Sequence, residues 1–179
     1  MLDAAGRAFA RDGYHDASMD EIARAAGISK PMLYNYFGSK EGLYVAYVRR
    51  SGRVLLQQMR DAGPPDAPAE LRLRDGVLAF LTYVQEHGAG WSVLHHETTT
   101  QGGPIARQVA DLREQIARML GGLFGGRDAF AHAFVGAGES LAGWWLAHPE
   151  RTKEEVAALL LDIASLGLAE PTPSDRALR

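Results

Sequence analysis

The chain has 179 residues, of which 46% are hydrophobic and 23% charged, so it can bury a core in one or two domains. It has no cysteine and no apolar run of membrane-spanning length, which excludes disulfides and thiolate metal sites and leads us to expect a cytoplasmic protein without a membrane partner. The net charge of −3 is uneven: residues 1–53 hold eight basic and six acidic side chains, and the rest of the chain holds eleven and sixteen. This bias is too small to indicate nucleic acid by itself, so any such function must follow from motifs.

The first two predicted helices are short and end at glycines. Residues 2–12 carry apolar side chains at helical spacing and stop at Gly13, where glycine can adopt a left-handed C-terminal cap. Ser18 and Glu21 form a capping box at the start of the second helix, and Gly27 permits a tight turn after it. The turn places a third short helix directly after the second.

The stretch 29–37 is predicted to be that third helix, with Ser29 as its cap, and its outward side chains are the main functional signal. Helical spacing turns Leu33 and the pair Tyr36 and Phe37 toward the core. The other side is left with large or polar groups: Lys30, Pro31, Met32, Tyr34 and Asn35. Two short helices joined by a glycine turn indicate a helix-turn-helix, so this outward surface is a candidate for reading DNA.

The rest of the chain is predicted to be helical as well. Ser39 caps a fourth helix that runs to about residue 60, and the proline-rich and glycine-containing residues 62–68 break the chain. Further helices are predicted over 69–87, 91–97, 104–124, 128–147 and 152–168. We therefore predict an all-α fold of about nine helices. Its parts are a helix-turn-helix DNA-binding domain over 1–47, a helical ligand-binding and dimerisation domain over 48–170, and a mobile tail over 171–179.

The last two predicted helices are apolar over more than one face, which for a water-facing helix indicates burial on several sides. We expect them to form a four-helix interface with a second copy of the chain. The residues predicted for this interface are Phe130, Phe134, Leu141, Trp145, Val156, Leu160 and Ile163.

A small-molecule site is predicted in the second domain, where helical faces could enclose an apolar cavity with a few polar groups. Its predicted residues are Phe80, Tyr83, Trp91, His95, Thr98, Gln108 and Trp144. The alternative is that these aromatic side chains simply fill the core. We predict no cofactor. We also predict no metal, because His95 and His96 are adjacent and so do not share a helical face, and no histidine at i+4 completes a site.

Five short segments lie at characteristic positions of the head: Gly13-Tyr14, Ser18-Met-Asp-Glu-Ile-Ala, Ala26-Gly-Ile-Ser, Leu33-Tyr-Asn-Tyr-Phe and Ser39-Lys-Glu-Gly-Leu. Together they resemble the DNA-binding domain of the tetracycline-repressor (TetR) family of bacterial transcription regulators, and the resemblance covers roughly residues 2–47. The resemblance implies a homodimer, operator DNA bound through two heads, and a small apolar or amphipathic inducer that lowers DNA affinity.

The resemblance also implies roles for individual residues. Phosphate contacts are expected from Ser18, Ser29, Tyr34, Tyr36 and Lys40, and major-groove contacts from Lys30, Pro31, Met32 and Asn35. Met32 stands where the family commonly has a smaller residue. The family often carries basic residues before the first helix, and whether such an arm precedes Met1 stays open.

We therefore expect a homodimeric repressor that a small-molecule inducer releases from its operator. The inducer would favour a conformation in which the fourth helix has moved and the two recognition helices no longer match successive major grooves, about 34–36 Å apart. One alternative is a regulator that responds to a protein or to no ligand. Another is a helical enzyme that uses the second-domain cavity, which we disfavour because the sequence has no nucleophile elbow, phosphate-binding glycine loop or paired metal ligands.

Overall fold

The computed structural model describes residues 1–88, 91 and 103–168, with side chains described up to residue 165. Within these ranges every regular element is an α-helix. The eight helices are α1 Leu2–Asp16, α2 Met19–Ala25, α3 Lys30–Phe37, α4 Lys40–Asp61, α5 Ala69–Glu86, α6 Pro104–Leu123, α7 Asp128–Leu146 and α8 Lys153–Leu168. The all-α prediction is confirmed. Apart from Trp91, the predicted helix over 91–97 lies outside the described residues, as does the predicted tail.

Serine caps begin three successive helices, as the sequence predicts. The hydroxyl oxygens of Ser18, Ser29 and Ser39 accept hydrogen bonds from the backbone N–H three residues later, over 3.5, 3.3 and 2.9 Å. Gly27, between α2 and α3, and Gly38, after α3, have φ values of 69° and 72°, which glycine adopts without strain. These local features fix the two turns on either side of α3.

Helix α1 continues past the predicted stop at Gly13. The glycine has φ 76° and ψ 174°, so it kinks the helix, and one more turn follows to Asp16. This turn is held from outside, because Lys40 donates a hydrogen bond to the His15 carbonyl over 2.6 Å and lies 5.2 Å from the centre of the Tyr14 ring. The extra turn therefore joins the end of α1 to the start of α4.

The buried side chains form two clusters, which we call the head core and the body core. The head core joins α1 to the start of α4 around Phe9, Ile22, Leu33 and Tyr44, with the Phe9 and Tyr44 rings packed edge to face at 4.9 Å. The body core is formed mainly by α5, α6, α7 and α8, with the far half of α4 and Trp91. The predicted boundary at residue 47 falls inside α4, so this helix passes from one core to the other.

Helix α6 also connects the two cores. Its first half places Ile105 and Val109 in the head core, and its second half places Leu120 in the body core. Between these ends it crosses α4 closely, because a Cβ at Gly52 would lie only 2.9 Å from both methyl groups of Leu112. Two helices therefore extend from the head into the body. None of the described helices is both long enough and apolar enough to cross a membrane.

Candidate DNA-binding and ligand-binding sites

Helix α3 is attached to the head by very little of its own surface. Leu33 is its one fully buried residue, and Phe37 is partly buried against the head core. The other side chains are exposed, including three large ones: Met32, Tyr34 and Tyr36 are 45%, 39% and 66% exposed. Large apolar groups on a surface usually mark an interaction site. An eight-residue helix is about 12 Å long, which suits a major groove about 12 Å wide.

The predicted inward position of Tyr36 is wrong, because it is the most exposed of these three side chains. A helix as short as α3 has room for one buried anchor, and Leu33 fills that position between α2 and α4. The predicted outward positions of Lys30, Pro31, Met32, Tyr34 and Asn35 are confirmed by their exposure. Their contacts with DNA stay a prediction.

Both cations predicted to reach DNA already have partners in the head. Lys30 lies 2.8 Å from the Asp20 carboxylate on α2, and this hydrogen bond and the opposite charge raise the pKa of the Lys30 ammonium. Lys40 is held by the His15 carbonyl. A phosphate that binds Lys30 must therefore compete with Asp20, whereas Lys40 has a structural role at the α1–α4 contact.

A small apolar cavity of about 40 Å³ lies in the body core. Its walls come from α4, α5, α6, α7, α8 and Trp91, and its lining residues are Met59, Val77, Phe80, Trp91, Ile116, Leu120, Phe134, Val135, Gly138, Glu139 and Leu160. Glu139 is the one ionisable residue among them, and Arg113 holds both of its carboxylate oxygens at 2.8 and 2.9 Å. The cavity suits an apolar ligand body, although it must enlarge, because ligand sites usually measure about 300–1,000 Å³.

Trp91 lines this cavity and carries a buried polar group. The side chain is 6% exposed and packs edge to face on Phe80 at 5.2 Å, and its indole N–H has no hydrogen-bond partner among the described residues. By contrast, the indole N–H of Trp145 donates to the Arg151 carbonyl over 2.9 Å. A buried donor without an acceptor is costly, so Trp91 favours a ligand that carries an acceptor atom.

Of the residues predicted to line a ligand site, Phe80 and Trp91 do line this cavity. Gln108 instead accepts a hydrogen bond from Arg49 over 3.2 Å, which ties α6 to α4, and Trp144 is 40% exposed on the outer side of α7. His95 and Thr98 lie outside the described residues. The lining residues on α4, α6, α7 and α8 were not predicted for this site, because apolar spacing indicates burial without showing what each helical face contacts.

Tyr83, also predicted for the ligand site, belongs to a separate cavity of about 100 Å³ between α1, α4 and α5. It is 3% exposed, and its ring stacks on His87 at 4.3 Å. Burial raises the pKa of the Tyr83 phenol to about 12, against a smaller opposing effect of the hydrogen bond with Ser51. Tyr83 therefore stays neutral and supports the packing of α5 on α4.

The predicted dimer residues divide into two groups. Four are at most 6% exposed and form part of the body core: Phe134, Trp145, Val156 and Leu160. They pack inside the chain and do not form part of its outer surface, whereas Phe130 and Leu141 are partly buried against the same core. Ile163 is 39% exposed, and Leu159 on α8 and Trp144 on α7 are exposed as well. The outer apolar surface of α7 and α8 is thus formed by Trp144, Leu159 and Ile163.

A metal centre has no support in the part of the chain that the structure describes, because no three acidic or histidine side chains there are grouped to hold an ion. The features described so far are a helix-turn-helix with an exposed third helix, an all-helical body and an apolar cavity within that body. Together they define the class of all-helical transcription regulators in which one chain carries both a DNA-reading head and a ligand-binding body.

Comparison with known proteins identifies the family. The family model described as bacterial regulatory proteins, tetR family, matches residues 1–47, and that described as tetracyclin repressor-like, C-terminal domain, matches residues 69–167. A TetR-like transcriptional regulator from Rhodococcus sp. RHA1 shares 35% identity with a TM-score of 0.78, and the match covers 93% of this chain and 92% of that one. The chain belongs to the TetR family of bacterial transcriptional regulators, as the resemblance of its head implied.

Two further relatives show how far the likeness extends. The HTH-type transcriptional activator FasR of Mycolicibacterium smegmatis is 37% identical over 109 residues, which are 61% of this chain. The match spans 50% of FasR, so the chain covers about half the length of this relative. FadR of Bacillus subtilis, solved in complex with stearoyl-CoA, is 18% identical with a TM-score of 0.76 over 94% of this chain and 96% of its own. At this identity the likeness concerns the fold alone.

Proposed function

We propose that the chain acts as a cytoplasmic homodimer that binds operator DNA through α3 and changes its DNA affinity when a small apolar or amphipathic molecule enters the body cavity. The observation that carries the DNA-binding part is the exposure of α3, whose large side chains face away from a head attached through Leu33. The proposed base contacts are Lys30, Met32 and Asn35, and the proposed phosphate contacts are Ser29, Tyr34 and Tyr36.

The ligand response is supported by helix α6. The same helix lines the cavity with Ile116 and Leu120 and enters the head core with Ile105 and Val109. A ligand larger than the cavity must push its walls apart, and a displacement of α6 reaches the head through buried contacts. Helix α4, which carries Met59 at the cavity and Val48 in the head core, provides a second path. The ligand thus shifts the population between two head orientations.

Dimerisation is proposed through the outer apolar surface of α7 and α8. Trp144, Leu159 and Ile163 are exposed on two helices that pack on each other, and interface cores are enriched in aromatic side chains. Two heads on one dimer double the number of DNA contacts, which matters because the first 53 residues carry only a small excess of basic groups. Sedimentation velocity checks this part: the wild type should be a dimer, and Leu159→Glu should be a folded monomer.

DNA binding is tested by selecting DNA sites from a random library with the purified protein and measuring their affinity by fluorescence anisotropy. Lys30→Ala should weaken binding, whereas Arg118→Ala, which removes an exposed cation of the body, should leave it unchanged. If Lys30→Ala loses affinity equally for all DNA sequences and its affinity depends less on salt, Lys30 contacts a phosphate. If the variant loses discrimination at one base position, Lys30 contacts that base. An unchanged affinity in Lys30→Ala and Asn35→Ala would contradict the proposed reading surface.

The ligand response is tested by a thermal-shift screen of apolar and amphipathic metabolites, followed by DNA release with each hit. Gly138 allows a matched pair of variants, because a Cβ there would meet Phe80 at an ordinary 3.8 Å. Gly138→Ala should keep the response, and Gly138→Leu, which fills the cavity, should bind DNA and no longer respond. A response that persists in Gly138→Leu would contradict the location. A dimer that ignores every hit would support a ligand-independent regulator, and turnover of a hit would support an enzyme.

A further inference from the structure

A second cavity of about 160 Å³ lies beside the apolar one, between α4, α5 and α6. The two cavities share the side chains of Met59 and Leu120 as lining, so these two residues form the partition between them. Gly63 and Gly76 belong to the second cavity and leave its wall without side chains at those positions. An alanine at Gly76 would meet only the Met59 carbonyl oxygen, at 3.9 Å, so the space is open there.

The second cavity differs from the first in charge, because Arg60 on α4 and Arg72 on α5 both line it. We call it the arginine cavity. Neither guanidinium has an ion-pair partner within the described ranges. Asp75 Oδ1 pairs with Arg74 at 2.9 Å, whereas its Oδ2 lies 2.9 Å from the position of a Cβ at Gly63, and Asp61 accepts hydrogen bonds from Gln57 at 2.9 Å. Arg60 and Arg72 are exposed residues on neighbouring helices, and both border this cavity, so their guanidinium groups can together bind an anion.

We propose that the ligand is an anionic amphiphile, with its apolar chain in the apolar cavity and its carboxylate or phosphate group between Arg60 and Arg72. This inference rests on the proposed function and names the chemistry of its ligand. The apolar cavity alone is far smaller than a typical ligand site, and a molecule that also extends into the arginine cavity uses both spaces. The indole N–H of Trp91, which has no hydrogen-bond partner among the described residues, is a separate sign that the apolar cavity binds a molecule carrying a polar atom.

The position of the partition gives this binding mode a consequence for regulation. Met59 belongs to α4 and Leu120 to α6, the two helices that extend into the head core. A molecule that spans both cavities must displace both side chains, and therefore acts on both helices at once. A purely apolar molecule that stays in the apolar cavity does not contact Arg60 and Arg72. Such a molecule displaces Met59 and Leu120 less.

The test uses three probes with the same ten-carbon chain: decanol below its solubility limit, and decanoate and decyl phosphate below their micelle concentrations. Calorimetry on the purified protein measures their affinities for the wild type and for Arg60→Gln/Arg72→Gln, which removes both charges and keeps side chains of similar length. The control is Arg53→Gln/Arg107→Gln, which removes two exposed charges from α4 and α6 outside both cavities. DNA release by each probe is measured in parallel.

The wild type and the control should bind both anions at least about tenfold more tightly than decanol, because charge-assisted hydrogen bonds are the strong ones. The Arg60→Gln/Arg72→Gln variant should lose this preference and keep its affinity for decanol. The ratio of decyl phosphate to decanoate identifies the preferred anion. The proposal would be overturned if the wild type bound all three probes equally or bound none of them. It would also be overturned if the variant lost affinity equally for all three probes. Arginine-dependent binding without DNA release would support the proposed ligand class and contradict the proposed function.

Discussion

The close contact between Gly52 of α4 and Leu112 of α6 provides a direct test of how the body controls the head. A Cβ at residue 52 would lie 2.9 Å from both Leu112 methyl groups, whereas ordinary contacts begin at 3.4 Å, so the helices or the leucine must move by at least about 0.5 Å. Overpacking of this kind costs about 1–3 kcal/mol, and alanine offsets about 1 kcal/mol through its better helix propensity. We expect Gly52→Ala to lower the free energy of unfolding by about 0–2 kcal/mol.

The more informative expectation concerns DNA affinity. Because α4 and α6 both reach the head core, the displacement at Gly52 should change operator affinity although residue 52 touches neither α3 nor either cavity. Anisotropy measures the affinity and urea denaturation the stability. Gly122→Ala is the matched control, since a Cβ there meets nothing within 4 Å and the propensity gain is the same kind.

A double-mutant cycle decides whether the contact itself is responsible. Leu112→Ala removes the two methyl groups, so Gly52→Ala should be much less harmful in that background, with a coupling energy of about 0.5–3 kcal/mol. Additive effects on stability would refute the packing argument. Unchanged DNA affinity in Gly52→Ala, at reduced stability, would refute the idea that this contact transmits to the head.

Further predictions concern the head and the α4–α5 contact. Asp20→Asn should free Lys30 from its ion pair and raise DNA affinity. If Lys30 then contacts a phosphate, the slope of log K against log salt concentration should steepen by about 0.9 per protomer. An unchanged slope in salt titrations would show that Lys30 gains no phosphate contact. Gly42→Ala should destabilise the head by more than about 2 kcal/mol, because the new Cβ would overlap the backbone carbonyl oxygen of Phe37. Amide hydrogen exchange should show a loss of protection in the head, and wild-type protection there would contradict this prediction. Because the folded-state pKa of Tyr83 is raised to about 12 from 10.0, the free energy of unfolding should be intact below pH 10 and fall as the pH rises toward 12. Urea denaturation of Tyr83→Phe should show a smaller fall over this range. The same fall in Tyr83→Phe as in the wild type would rule out Tyr83 as its cause.

The sequence was sufficient for features that depend on neighbouring residues. The hydroxyl caps at Ser18, Ser29 and Ser39 and the turn at Gly27 are encoded within four residues, and each is present where predicted. The longer helices also begin and end within one or two residues of their predicted limits, with α1 as the exception. Lys40 explains that exception, because its hydrogen bond to the His15 carbonyl joins residues 25 positions apart.

The sequence was insufficient where a helix is apolar on several sides. Trp144 and Trp145 are adjacent and chemically identical, and only the packing of α7 on α5 and α6 makes one of them outer surface and the other core. Periodicity indicates that a face is buried and does not identify its partner. For the same reason, only the three-dimensional structure shows that α4 and α6 form walls of the apolar cavity. It also shows that Arg60 and Arg72, on different helices, border the same cavity.

The insertion of Ile105 and Val109 into the head core bears on how such regulators can be recombined. An excised fragment of residues 1–47 would expose the apolar surface that these two side chains cover, and it would lack the rest of α4. Chimeras that exchange reading heads between bodies should therefore keep each head together with the first half of its own α6. The surface of α3 can be redesigned more freely, since Leu33 is the one residue of that helix fully committed to the core. New sequence preference can thus be introduced at α3 while the link from the body to the head is left intact.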